Sequence, residues 1–273
     1  MAAGRAMTDI MRVAVSAARE AGGVLLEGYG AAKGVRVKPD GSLVTLWDKR
    51  VERLVVRRIR GAFPSHGILA EEGSTGGRGS EYCWVIDPLD GTHNFIRGAG
   101  HFGVSIGVTR AGEFVAGVVN LPREKELYVA ELGSGAWRNG KRIHVSRFRR
   151  LDQCSLCFDS SMRYAPDLMS AVMRDLGCRV FNLRMFGSSV RTLTSLAEGA
   201  VDAAVEFDDR PWDFAAGVVL IREAGGAVWA LDGGRLTTSH RGYVATNGHV
   251  QKALWRIVDK HARGARRRAG ACR

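Results

Sequence analysis

The sequence predicts a mixed α/β protein built in two halves. Three observations carry that prediction. Two stretches with apolar residues at helical spacing open the chain, short alternating strands run from 102 to 138, and strands alternate with helices after about residue 150. The 273 residues suffice for one large domain or two modest ones. The expected division is an N-terminal α+β half over 1–148, a C-terminal α/β half over 149–262, and a basic tail, 263–273, expected to be disordered.

The elements follow in order. Ile10, Val13, Ala14, Ala17, Ala21, Val24 and Leu25 share one helical face, and Gly28, Gly30 and Gly34 close that helix. Residues 35–38 form a short strand, 39–42 a turn, and Thr45 to Ile59 a second amphipathic helix with Val51, Leu54, Val55 and Ile59 inward. Residues 67–70 make a strand that runs into Glu71 and Glu72, and GSTGGRGSE reads as a flexible loop. A strand over 83–87 precedes the meander FGVSIGVT, FVAGVVNL, ELYVAEL. In the second half, strands SLCFDS, CRVFNLR, VDAAVEF, AVWALDG and GYVATN alternate with helices over 166–176, 188–198, 212–224 and 249–261.

Composition restricts the function classes. No apolar run reaches the roughly 20 residues of a membrane-spanning helix, and the N-terminal stretch lacks a secretory pattern, so a cytoplasmic protein with no membrane association is expected. Five cysteines do not suggest a disulfide scaffold, and Cys154-x-x-Cys157 lacks the second pair of a zinc site, so these read as buried thiols. The net charge is +12, with arginines clustered at 147, 149 and 150 and again at 263, 266–268 and 273. The tail reads as solvated, with a weak polyanion contact as the competing reading; no nucleic-acid-binding motif accompanies it.

The chemistry concentrates in WVIDPLDGTHNF, residues 84–95. Trp84, Val85 and Ile86 place Asp87 at the end of a buried strand. Pro88 cannot continue a ladder, Leu89 turns back to the core, and Asp90 faces the same side as Asp87. Two such carboxylates raise each other's pKa, and a divalent cation removes the conflict. All-oxygen ligands suit magnesium or manganese rather than zinc. Gly91 permits close backbone approach, and the N–H groups of Gly91 and Thr92 can hold a phosphate oxygen. Glu71-Glu72 also ends a strand, and Asp213 stands in the first turn of a helix opened by Pro211 and Trp212.

Four stretches in order, KPDGSLVTLWDKRVE, ILAEEGS, WVIDPLDGTHNF and PWDFAAGVVLIREAGG, resemble the inositol monophosphatase family of magnesium-dependent, lithium-sensitive phosphatases, over roughly residues 8 to 262. The resemblance implies a layered αβαβα sandwich and a homodimer. It implies that Glu71, Asp87 and the carbonyl of Leu89 hold one Mg2+, that Asp87, Asp90 and Asp213 hold a second, and that a third, weaker ion touches Glu71. Mn2+ is the expected substitute. Asp48 and Thr92 match a pair that helps deprotonate the attacking water, with no covalent phosphoenzyme. Gly91 and Thr92 match phosphate contacts; Gly187, Ser188, Ser189 and Glu206 match contacts to the sugar alcohol.

Ala70, Trp47 and His93 depart from the pattern, and Trp47 and His93 are expected to bear on access to the substrate side. The implied reaction is hydrolysis of a small phosphorylated substrate, inositol 1-phosphate first. Histidinol phosphate is the close alternative, with a nucleotide 3′-phosphate or fructose 1,6-bisphosphate behind it. From a different class comes a nucleic-acid or transcription-complex partner, motivated by the basic tail.

Overall fold

The computed structural model describes residues 8–30, 34–77 and 79–271, without the side chains of 264–271. Thr8 caps α1 (Asp9–Gly28), accepting from Met11 N at 3.3 Å. Thr45 caps α2 (Leu46–Ala62) in a capping box with Asp48. The hairpin β1 (Arg36–Val37) and β2 (Leu43–Val44) lies between them.

The first sheet collects β3 (Gly67–Ala70), β4 (Thr75–Gly76), β5 (Tyr82–Asp90), β6 (Gly103–Arg110), β7 (Glu113–Leu121), β8 (Glu126–Glu131), β9 (Ala136–Arg138) and β10 (Lys141–Ile143). Their order is β10-β9-β8-β7-β6-β5-β3-β4, antiparallel except between β3 and β5. The expected meander is there. The Gly/Ser loop, read as flexible, carries β4, which pairs with Ile68 and Leu69. The short α3 (Thr92–Arg97) follows β5.

The second sheet has the order β12-β11-β13-β15-β14, made of β11 (Ser155–Phe158), β12 (Asn182–Arg184), β13 (Ala203–Glu206), β14 (Ala227–Trp229) and β15 (Tyr243–Thr246). Its parallel core of β12, β11 and β13 needs helical crossovers, supplied by α4 (Pro166–Gly177) and α5 (Ser189–Ala197). Then follow α6 (Pro211–Glu223) and α7 (Gln251–Ala271); the α7 backbone continues through most of the terminus expected to be disordered. The side chains of the arginines beyond 263, and all of Cys272 and Arg273, lie outside the described residues.

Burial sorts these elements into five layers. α1 and α2 cover one face of the first sheet, α5 and α6 lie between the sheets, and α4 and α7 cover the far face of the second. α6 is apolar nearly all round, Phe214 to Ile221 being buried throughout, as a helix between two sheets must be. Gly107 and Gly117 let it approach closely: a Cβ on Gly117 would sit 2.3 Å from the Ala216 carbonyl oxygen. No helix among the described residues is long and apolar enough to cross a membrane.

Candidate active site

β5 does not stop at Asp87 as its sequence suggests; it runs to Asp90 through a register shift. Asp87 pairs with Ser105 and Asp90 with Gly103, so three steps on β5 oppose two on β6. Pro88 has no N–H for the ladder, which accounts for the extra residue. The consequence is geometric. In a regular strand residues three apart face opposite sides, but one bulged residue brings both aspartates to the same side. Leu89 returns to the core at 1% exposure, and its N–H donates to Asp87 Oδ1 at 2.9 Å.

Asp213 arrives from the opposite wall, in the first turn of α6, with Arg210 N donating to its Oδ2 at 2.6 Å. Carboxylate oxygens of Asp87, Asp90 and Asp213 lie within 4.8 Å of one another. No Lys or Arg makes an ion pair with any of the three among the described residues. Burial, then the neighbouring acids, push Asp87 and Asp213 well above the carboxylate range. Burial raises Asp90 to about 7 despite hydrogen bonds from the Ser188 hydroxyl and the Ser189 N–H. Three mutually repelling carboxylates, two buried and Asp213 half-buried, with only oxygen donors fit a hard divalent cation, magnesium or manganese.

Glu71 stands beside this trio, not inside it. Lys38 Nζ meets Glu71 at 2.8 Å and also contacts Glu72. Burial raises Glu71 while Lys38 opposes the rise. The Leu89 carbonyl accepts from Thr92 Oγ1 at 2.9 Å, and Asp48 Oδ1 lies 3.3 Å from the same hydroxyl. Asp48 is fully buried; its Oδ2 accepts from Thr45 N at 2.7 Å and Thr45 Oγ1 at 2.5 Å. The capping box of α2 therefore also fixes Asp48 beside Thr92.

A cavity of about 690 Å³ opens in front of these groups. Gly91, Thr92, Gly187, Ser188, Ser189 and Glu206 all line it, as does His93. Gly91 adopts φ +75°, and a Cβ there would sit 2.5 Å from His101 O, so only glycine fits. Ser188 and Ser189 do more than face the cavity, because both hold Asp90.

Trp47, expected at the substrate side, lies elsewhere. Its indole covers Gly28 of α1, where a Cβ would fall 2.1 Å from the ring, and Arg50 stacks on its outer face at 5.2 Å. It packs one helix on another, for α2 carries it on the face turned to α1.

Three residues that position the site escaped sequence reasoning. Lys38 lies 33 residues from Glu71, and only the hairpin brings it there. Asn94 Nδ2 donates to the carbonyls of His101, Phe186 and Gly187, tying α3 to the segment before α5. Asp209 lines the cavity and accepts from Ser189 Oγ at 2.9 Å; the run of two acids before Arg210 and Pro211 was its only signal in the sequence.

The model of the inositol monophosphatase family matches residues 6–263. An inositol-1-monophosphatase from Mesorhizobium japonicum is 36% identical over 262 residues, covering 93% of this chain and 98% of its own. The Nus factor SuhB of Escherichia coli is 39% identical over 254 residues, covering 91% and 95%. The crystal structure of the extragenic suppressor protein suhB from Bartonella henselae superposes with a TM-score of 0.87 at 34% identity, over 93% of this chain and 99% of that one.

Proposed function

The chain belongs to the inositol monophosphatase family and is a metal-dependent phosphomonoesterase; on that premise we propose that it hydrolyses inositol 1-phosphate to inositol and phosphate. One observation carries the metal-dependent reading above all. Six carboxylates, Glu71, Asp90, Asp159, Glu206, Asp209 and Asp213, line the cavity against one arginine, Arg163. A phosphate dianion entering such a cavity meets strong repulsion unless cations are bound first.

Asp87, Asp90 and Asp213, with Glu71 and the Leu89 carbonyl beside them, are the groups to hold two magnesium ions, with a weaker third at Glu71 and Mn2+ as substitute. Such ions supply Lewis acidity: they lower the pKa of water and stabilise charge on the leaving oxygen. The chain's own residues do the rest. Thr92 has one hydroxyl proton and two acceptors, Leu89 O and Asp48 Oδ1. As Thr92 Oγ1 takes a proton from the attacking water, its own proton passes to Asp48 Oδ1, so the hydroxyl is restored and the carboxylate ends protonated. Thr45 keeps Asp48 in position through its N–H and its hydroxyl. Gly91 and Thr92 face the phosphoryl group, while Gly187, Ser188, Ser189 and Glu206 face the alcohol. Water attacks phosphorus directly, without a covalent phosphoenzyme.

The test is a panel of inositol 1-phosphate, histidinol phosphate, adenosine 3′,5′-bisphosphate and fructose 1,6-bisphosphate, comparing kcat/KM in Mg2+. Inositol 1-phosphate is expected to lead by at least about tenfold, a difference of about 1.4 kcal/mol in transition-state binding; a lead for any other ester overturns the substrate assignment. A homodimer belongs to the same reading and is checked by light scattering after size exclusion. Lithium inhibition is checked in the same assay.

A second activity has one observation in its favour. The exposed run 141–150 presents Lys141, Arg142, His144, Arg147, Arg149 and Arg150 around Phe148, which is 50% exposed. A basic surface with an aromatic side chain suits single-stranded RNA. Binding of an RNA oligonucleotide that weakens with salt, falls in an Arg147→Ala/Arg149→Ala double variant and persists in Asp90→Asn supports this role; no binding at moderate salt removes it.

A further inference from the structure

One edge of the second sheet stands open beside an arginine that lacks an anion. β14 ends the strand order and pairs with β15 alone. In an antiparallel pair, alternate residues turn their N–H and C=O away from the partner strand, so an end strand carries unpaired backbone groups. Proline, lysine or an inward-pointing charge commonly guards such an edge. Ala227, Val228 and Trp229 supply none of these. Val228 is buried in the core between the sheets, so Ala227 and Trp229 point the other way. Trp229 is half-buried and belongs to none of the three apolar clusters.

A cavity of about 570 Å³ lies along this edge, and it shares no lining residue with the acidic one. α6 contributes Arg222 and β14 contributes Trp229. The turn closed by Ala230 N on Gly234 O at 3.0 Å brings Gly233, Gly234 and Arg235. Arg222 is half-buried. Among the described residues its guanidinium makes no hydrogen bond or ion pair; it stacks on Phe114 at 6.0 Å. Burial lowers its pKa, and no carboxylate offsets that. The last turn of α6 offers it partial negative charge, but a desolvated cation is ordinarily answered by an acid. The acids beside these lining residues are committed elsewhere. Glu223 accepts from Gly133 N at 2.9 Å and Gly135 N at 2.7 Å, Glu113 pairs with Arg235, and Asp232 accepts from Gly234 N at 2.9 Å.

We propose that β14 and this cavity form a docking site for an extended acidic peptide, which adds to the sheet as a further strand and places a carboxylate on Arg222. The open edge matches another backbone, and the unanswered guanidinium selects the charge. Tryptophan and arginine are also the side chains that most often carry binding energy at interfaces. The inference holds whichever ester the acidic cavity hydrolyses.

The experiment uses the full chain and a fluorescein-labelled peptide of alternating threonine and glutamate, followed by anisotropy. Threonine favours an extended chain. A control peptide carries lysine in place of glutamate, and two further glutamate peptides are N-methylated at the odd or the even amides. Saturable binding of the glutamate peptide is expected, with the lysine peptide at least about tenfold weaker, as one charged contact implies. One methylated set is expected to lose at least about tenfold and the other to bind like the parent, because only alternate N–H groups meet the edge. Arg222→Gln is expected to weaken the glutamate peptide by about tenfold or more, while turnover of p-nitrophenyl phosphate stays at the wild-type rate and reports folding. No saturable binding up to about 1 mM peptide overturns the proposal, as does a lysine peptide that binds equally well. An equal effect of the two methylated sets overturns strand addition. Displacement of the peptide by free glutamate or inorganic phosphate at equal concentration overturns it too, and leaves Arg222 a small-anion site. The peptide comparisons use wild type alone, so they decide the matter even where Arg222→Gln fails to fold.

Discussion

In the proposed mechanism, Thr92 is the residue on which water activation turns. It touches Asp48 on one side and the Leu89 carbonyl on the other. Thr92→Ala is expected to lower kcat by about a hundredfold or more, the usual reach of a positioned proton acceptor, with little change in Mg2+ affinity; Thr92→Ser should restore most of the rate. Steady-state phosphate release with magnesium titrations checks both. At this scale the sequence was most informative where one short stretch carries the chemistry. Asp87, Asp90, Gly91 and Thr92 fall within six residues and announce themselves. Asp213 was marked by Pro211 and its place in a first turn. Lys38 and Asn94 were not visible, because what makes them matter is a partner 33 and 92 residues away. Trp47 was misplaced for the same reason: its nearness to Thr45 and Asp48 in sequence says nothing of which helix face it occupies.

Elements, rather than single residues, decide how well the site is held. The β5 bulge turns two aspartates to one side, and the α2 cap seats Asp48; Pro88 and Thr45 signal both in the sequence. The length of β5 was underestimated, because a ladder that resumes after a bulge depends on β6, not on β5 alone. The Asn94 tie fixes α3 against the segment leading to α5. Asn94→Ala leaves the three carbonyls without their shared donor and is expected to cost about 1–3 kcal/mol of stability and to raise KM. A urea titration and the kinetics of the same sample report the two effects. Gly28→Ala acts on a different contact, forcing a methyl into the Trp47 ring. It is expected to lower stability by about 1–3 kcal/mol, seen as a lower urea midpoint, while kcat of the folded enzyme stays near wild type.

The whole molecule is basic, at +12, yet its cavity is acidic. Net charge therefore misleads about the site, and that contrast could not be read without the fold. The five-layer stack was legible in part: the change from a strand meander to strand–helix alternation marked two sheets. That one pair of helices would lie between them followed from the family resemblance and not from the pattern itself, since an all-round apolar helix shows that it is buried but not against what. The acidic cavity gives the protein a pH signature. Asp90 ordinarily titrates near 3.8 and here near 7, and Glu71, Asp87 and Asp213 move the same way. The folded state then holds more protons than the unfolded one, so metal-free stability is fully present below pH 3.8 and declines as pH rises through about 7. Chelator-treated protein is expected to melt lower at pH 8 than at pH 5, and Mg2+ to raise Tm more at pH 8. Calorimetry across that range checks this; a metal-free Tm that climbs with pH contradicts it.

The acid cluster as the seat of metal-dependent hydrolysis is the central claim, and Asp90→Asn tests it most directly. The substitution is nearly isosteric, leaves an acceptor for Ser188, and removes one charge from a repelling trio, so the fold is expected to persist. The decisive measurement is phosphate release from inositol 1-phosphate by Asp90→Asn at saturating Mg2+. The expected result is a loss of kcat of about a thousandfold or more, on the order of 4 kcal/mol of transition-state stabilisation. Turnover within a few-fold of wild type would contradict it.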